Sequence, residues 1–366
     1  MKKSVKILSV LLAAVMTATA FAGCSGSSSE DSQAASASGT ASKEKYGNLI
    51  NVYMWSEYIP QEIFDDFEQE TGIHVNAAYY ASNEELIAKI TAGAGSQYDL
   101  IQPTVNRVPI LVKGNYIEPM DFNEIPNEKF LDEEYQHVDG YSDYQKYFSV
   151  YMGSRELVAY NAKTCPIKIK SLKDLTNPAL KKSLVVTDGP DLIEYGLSAM
   201  GIDPYTTKEA DYAKAAEWAQ KIYPNIKAVD GDSPKTEFMN GEVSAGLIYD
   251  GDLAILMKSD PDIKIAQVSE KMPSAPDVWS IPKGAQHKRE AEALINYILK
   301  PENFAKCLEA YPYCSPSAAA TKLTSDDFKN NPVHNLGSYE KTGFYVERYT
   351  GMDDVKDKFW TKISAK

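Results

Sequence analysis

NVYMWSEYIP, residues 51–60, opens the part of the chain that reads as folded. Val52 and Met54 alternate with Tyr53 and Trp55 at the period of a β-strand, the run breaks at Ser56, Glu57 and Tyr58, and Pro60 opens a helix. Two rings and a hydroxyl, Trp55, Tyr58 and Ser56, thus stand at the carboxyl end of a first strand. In open α/β sheets that edge binds ligands, because crevices form where strands hand over to helices. On these residues alone Trp55 and Tyr58 read equally well as core aromatics, so the rest of the chain must decide.

Downstream, 60–71 predicts an amphipathic helix with Ile63, Phe64 and Phe67 on one face and Gly72 as its stop. A strand over 73–79 follows, then a helix capped by Ser82 with Glu85 and carrying Leu86, Ile87 and Ile90, then a short strand 98–101 ending at Pro103-Thr104. Strand and helix alternate, which predicts a largely parallel sheet with helices on its faces. After a short helix closed by Gly114 and a polar irregular stretch, two β-rich runs within 147–161 flank Gly153-Ser154-Arg155 and read as the crossing to another lobe. A second series has a strand at 184–188, a helix at 191–200 stopped by Gly201, and the longest periodic segment, capped by Thr206 with Glu209 and running to Tyr223. Strands at 245–250 and 278–281 and a helix at 288–299, stopped by Pro301, complete it. Two α/β lobes joined by more than one crossing are expected, 47–154 with 276–322 and 155–275 with 323–366.

The chain has 366 residues, 43% of them apolar, and a net charge of -13. That is enough to bury two cores, and its acidity argues against a nucleic-acid partner. Residues 1–23 form a targeting segment: Lys2, Lys3 and Lys6, an apolar run 7–21, and Ala22-Gly23 before Cys24. It resembles a bacterial lipoprotein signal, cleaved before a cysteine that is then acylated. An uncleaved membrane anchor is the other reading, disfavoured because the run falls short of the ~20 residues that span a bilayer. Residues 24–46 hold the cysteine and a Ser/Ala/Gly tether. Cys165, Cys307 and Cys314 remain in the folded part, so at most one disulfide can form, with Cys307–Cys314 one option.

No Gly-x-Ser-x-Gly elbow, phosphate loop, His-Glu-x-x-His or dinucleotide glycine pattern occurs, and His74, His137, His287 and His334 stand in polar or loop-like contexts. No enzyme, cofactor or metal is expected. What recurs is strand ends bearing aromatics, acids or small hydroxyls: Trp55-Ser56-Glu57-Tyr58, Pro103-Thr104, Thr187-Asp188, Tyr249-Asp250, and Asp277 before the return strand. Several acids converging in one crevice need a cation, or they protonate. Ring faces favour an organic ammonium over a hard metal ion, and a linear polyamine uses both features, carboxylates at its ends and flat walls along its stem. The competing reading makes these acids helix N-caps.

Several stretches resemble the spermidine/putrescine-binding proteins, extracytoplasmic receptors of polyamine ABC importers. They are YMWSEYIP (53–60), FEQETGIHV (67–75), SNEELIAKI (82–90), YDLIQPT (98–104), SLVVTD (183–188), FMNGEVSAGLIYDGD (238–252) and YPYCSPSAAA (311–320). The resemblance implies a two-lobed type II periplasmic-binding-protein-like α/β fold, with the ligand in a cleft between the lobes. It places the family's ligand-binding residues on Trp55, Ser56, Tyr58, Thr104, Asp188, Asp191, Tyr249, Asp277, Tyr313 and Glu340. Ala275 and Asn106 stand where the family offers rings, and Arg155 suggests either an anionic ligand or a pairing with Glu156 outside the cleft. The implied partners are a small cationic ligand, the membrane permease and, through Cys24, the outer face of the cell membrane, for a monomeric receptor. A same-fold receptor for an anion or a ferric ion, and a surface-anchored hydrolase, are the alternatives. The polyamine expectation requires Asp188 and Asp277 to face one hollow.

Overall fold

The computed structural model of the protein describes residues 47–336 and 343–365. The expected signal segment, Cys24, the tether through residue 46, and Glu340 lie outside the described residues. The opening stretch forms β1 (Leu49–Trp55), the central strand of a parallel sheet of order β2-β1-β3, with β2 (His74–Tyr80) and β3 (Leu100–Ile101) beside it. Helices α1 (Gln61–Thr71) and α2 (Asn83–Thr91) make the crossovers. Ile63, Phe64 and Phe67 of α1 are buried, and Gly72 ends it at φ 77 with its N–H on Glu68 O, the left-handed stop that a glycine makes cheaply. Ser82 caps α2 by accepting the Glu85 N–H, while the Glu85 carboxylate reaches back to the N–H of Ala81.

The chain then runs through α3 (Val108–Lys113), β4 (Ile117–Glu118), α4 (Glu133–Gln136) and β5 (Ser149–Met152) before crossing at Gly153–Arg155 into β6 (Glu156–Asn161). The second lobe adds β7 (Leu184–Val186), α5 (Leu192–Met200), α6 (Glu209–Ile222), β8 (Ile226–Val229) and α7 (Lys235–Met239). It continues with β9 (Ala245–Tyr249), α8 (Asp250–Ser259), β10 (Ile263–Ile265) and β11 (Met272–Ser274). Its sheet has the order β10-β6-β9-β7-β8, parallel at β7 and antiparallel where β6 meets β9 and β10. The expected cap on α6 is not made. Glu209 is the first helical residue, so Thr206 lies too far back and instead donates to Asp211 at 2.9 Å.

The return is split: β12 (Asp277–Trp279) pairs with β5, and β13 (Ile281–Pro282) with β4. After α9 (Lys288–Ile298), Pro301 both stops one helix and starts the next, α10 (Pro301–Ala310), because a first-turn position needs no N–H. Then follow α11 (Ala318–Thr321), α12 (Asp326–Asn330), β14 (Phe344–Val346) and α13 (Asp353–Ser364). Phe67, Phe148, Trp279 and Phe304 belong to one buried cluster, and Leu157, Val185, Tyr212, Trp218 and Leu247 to another. Phe328 packs in the first, Val333, Leu336 and Ile363 in the second. Between them three segments run side by side: Ala275 N–H and Ser274 Oγ both donate to Ser154 O, at 3.0 and 2.9 Å, and Glu347 N–H donates to Ser274 O at 3.0 Å. Cys165, Cys307 and Cys314 are free thiols, and among the described residues no helix is long and apolar enough to cross a membrane.

Close approach of α5 to α6 depends on Gly196, where an added methyl would stand 2.6 Å from the Ala215 carbonyl oxygen. Backbone cannot yield as a side chain does, so Gly196→Ala is expected to cost roughly 1–3 kcal/mol in a denaturant titration. An unchanged midpoint would mean the helices part freely.

Candidate functional site

Asp277 is the anchor of the cleft, and the backbone places it. Val278 N–H donates to Pro103 O and Val105 N–H to Pro276 O, both at 2.9 Å, so Thr104 and Asp277 face each other as an isolated bridge. The carboxylate accepts from Tyr58 OH at 2.7 Å, Trp55 Nε1 at 3.2 Å and Thr104 Oγ1 at 3.2 Å. Each donor is itself held: Trp55 lies 4.6 Å from the Tyr80 ring, Tyr58 is edge-on to Tyr151 and Tyr313, and Asn83 Nδ2 donates to Thr104 Oγ1 at 2.8 Å. Burial pushes the Asp277 carboxyl up to about 7, against the downward pull of the three donors. Among the described residues no ion pair reaches it.

These groups line a hollow with Ser56, Asp191, Tyr249 and Tyr313 on its walls. Tyr249 ends β9, whereas its neighbour Asp250 is structural, accepting the Gly251 and Cys314 N–H groups at 2.9 and 3.0 Å and so fixing the segment that carries Tyr313. Gly251 is required there, since a Cβ would lie 2.5 Å from the Tyr313 ring. At the mouth, Ser56 Oγ donates to Asp232 at 3.1 Å and Lys235 Nζ bridges Glu57 at 3.3 Å and Asp252 at 2.9 Å.

The second lobe corrects the expectation: the pairing of Asp188 with Asp277 in one hollow, set as the requirement for a polyamine site, is not met, and any acid opposite Asp277 is a different one. Asp188 does not face the hollow that holds Asp277; it lies on an adjacent one beside Glu84, Asp353 and Asp357. Its Oδ1 accepts the Asp191 N–H at 2.9 Å, so it serves the turn into α5, the capping role weighed from the sequence. Asp191 does reach the cleft, but the protein supplies its cation: Lys356 Nζ lies 2.6 Å from Asp191, 2.8 Å from Glu194 and 3.3 Å from Asp353. Burial opposes ionisation, yet Lys356 and Arg107 hold Asp191 below the usual carboxylate range. Arg107, also on the cleft wall, is spent on Glu84 at 3.1 Å and Asp353 at 3.4 Å.

Two acids that sequence reading passed over line the hollow instead. Glu156 starts β6 and Glu347 follows β14. Burial and then the neighbouring acids push both carboxyls well above the ordinary range. Asn106 Nδ2 donates to Glu347 at 2.7 Å, and Ala275 leaves its part of the wall bare. Arg155 points away: its guanidinium stacks 5.0 Å from the Phe344 ring and makes no ion pair with Glu156 among the described residues. Neighbours on a strand face opposite ways, and that alternation across 155 and 156 was the available signal. Elsewhere His74 pairs with Glu68 at 2.8 Å and His287 with Asp99 at 3.1 Å, both outside the cleft.

The model of the bacterial extracellular solute-binding protein family matches residues 62–335. The spermidine/putrescine-binding periplasmic protein of Escherichia coli K12 is 29% identical over 323 residues, 87% of this chain and 92% of that one. The putrescine-binding periplasmic protein PotF of the same organism is 26% identical over 89% of this chain and 94% of its own. A Listeria monocytogenes structure described as a candidate spermidine/putrescine ABC transporter superposes with a TM-score of 0.80 at 26% identity, covering 87% of this chain and 99% of that one. The likeness extends to the α/β fold of two lobes about a cleft.

A raised acid pKa fixes a sign. Asp277 is raised from 3.8 to about 7, so the folded protein binds the proton more tightly than the unfolded chain. The stability it contributes is complete below about pH 4 and lost as pH rises through about 7. In unliganded protein, wild type should therefore lose stability relative to Asp277→Asn across that window. Parallel pH profiles from chemical denaturation would contradict the burial assigned here.

Proposed function

The chain belongs to the bacterial extracellular solute-binding proteins, and we propose that within them it is the receptor of an ABC importer for a polyamine of the putrescine/spermidine class. The observation that carries this reading is Asp277, a buried carboxylate with three neutral donors and no ion pair among the described residues, framed by Trp55, Tyr58, Tyr249 and Tyr313. A buried acid of this kind either stays protonated or receives a cation. A ring face adds about 0.5–2 kcal/mol for an ammonium and packs against methylenes as well. Asp277 grips one amine, Thr104 and Ser56 supply polar edges, and the four rings wall the stem. The names of the relatives support the same ligand class.

The lobes, 47–154 with 276–322 and 155–275 with 323–366 apart from α12, whose Phe328 packs in the first core, close on the ligand, and the loaded, monomeric receptor docks on the permease. Its role is delivery, with no catalytic step. Arg155 lies off the cleft, which removes the feature that favoured an anion. Cys24 is the acylated residue that holds the receptor on the outer face of the membrane.

Putrescine or spermidine is expected to raise the melting temperature, by an amount equivalent to ~2.7 kcal/mol at a hundred times the dissociation constant. Asp277→Asn should abolish most of the rise. No shift with either amine at millimolar concentration would remove the polyamine reading and leave the family assignment intact. For the anchor, Cys24→Ala should move the protein from the membrane fraction to the soluble one, and unchanged membrane retention would rule out acylation there.

A further inference from the structure

We propose that the second ammonium of a diamine is received by Glu156 and Glu347 with the carboxamide oxygen of Asn106, and that Lys356 withdraws Asp191 from that task; this rests on the polyamine reading above. Lys356 is 5% exposed and bonds Asp191, Glu194 and Asp353 at once, so the negative charge of Asp191 is already answered from within. Among the described residues Glu156 and Glu347 have no such partner in direct contact: there Glu156 accepts a long bond from Thr187 Oγ1 at 3.5 Å, and Glu347 accepts from the neutral Asn106. Asn106 Oδ1 is buried with no hydrogen-bond donor, an acceptor that a ligand N–H would satisfy. Tyr249 lines the same hollow as Glu156, Glu347 and Asp277.

The groups facing this subsite are mostly acidic. Glu347, Asp191, Asp188 and Glu194 act on Glu156, while Glu194 and Asp191 act on Glu347 against the smaller pull of Lys356 and Arg107. Carboxyls held up in this way keep a proton near neutral pH, and an arriving ammonium, already charged, favours their ionisation and sends that proton to the buffer. The cleft thus selects a ligand with cations at both ends, which a monoamine of the same length is not.

Calorimetry on the full chain with putrescine and 1-butylamine tests this. Wild type should prefer putrescine by about tenfold or more. In buffers of different ionisation enthalpy, putrescine should release about one proton more than 1-butylamine near neutral pH. Glu156→Gln and Glu347→Gln should each weaken putrescine about tenfold and move 1-butylamine by less than about twofold, with Asp191→Asn weakening putrescine less than either. Equal proton release for the two amines, or a larger loss in Asp191→Asn than in Glu347→Gln, overturns the subsite while putrescine binding itself survives. If wild type binds neither amine, the polyamine reading falls and this subsite with it. The proton count needs no variant, so a misfolded mutant does not spoil the test.

Discussion

Burial of the Asp277 carboxylate on three neutral donors is the constraint around which the cleft is arranged. A charge in that setting is costly, and the cost is kept finite only because every donor is fixed before a ligand arrives. Trp55 rests on Tyr80, Tyr58 between Tyr151 and Tyr313, and Thr104 on Asn83. All of these except Tyr313 and Tyr151 come from the first series of strands and helices, so one wall is preorganised by a continuous stretch of chain. The other wall is assembled from β6, β9 and the segment after β14. Its charges are balanced less tightly, which is what leaves it responsive to a guest.

That division explains what could be read from the sequence. Trp55, Ser56, Tyr58 and Thr104 were legible because strand alternation and the strand-end rule operate within a few residues. Asp277 stood out as the acid before the return strand, Tyr313 came through resemblance alone, and the structure brings both to the same hollow. Asp188 failed because a strand end specifies where a residue sits and not where its side chain points; the nearby N–H of Asp191 claimed it. Lys356 was invisible, since it meets Asp191 across 165 positions of sequence and nothing in either neighbourhood announces the pair. Glu156 was within reach, but attention to the charge of Arg155 hid the acid that alternation turns inward.

Across the mouth, Ser56–Asp232 and Glu57–Lys235 join the two lobes, with Glu57 held at φ 45. A non-glycine residue in the left-handed region carries a modest conformational cost. Exposed ion pairs contribute only ~0–1 kcal/mol, so these contacts do little to fix the lobes against each other. What shifts the balance between lobe arrangements is a ligand with different affinity for each.

The acids of the second wall sit where such a ligand has most effect. Glu156 follows the crossing at Ser154, and Glu347 donates its N–H to Ser274 of the returning strand, so both belong to the segments that join the lobes. With both carboxyls held well above the ordinary range they stay neutral while the wall is empty, so the crossing carries little repulsion until an ammonium draws off a proton. Ionisation at this end is therefore coupled to the arrival of a cation, and a ligand that satisfied Asp277 alone would leave these acids protonated.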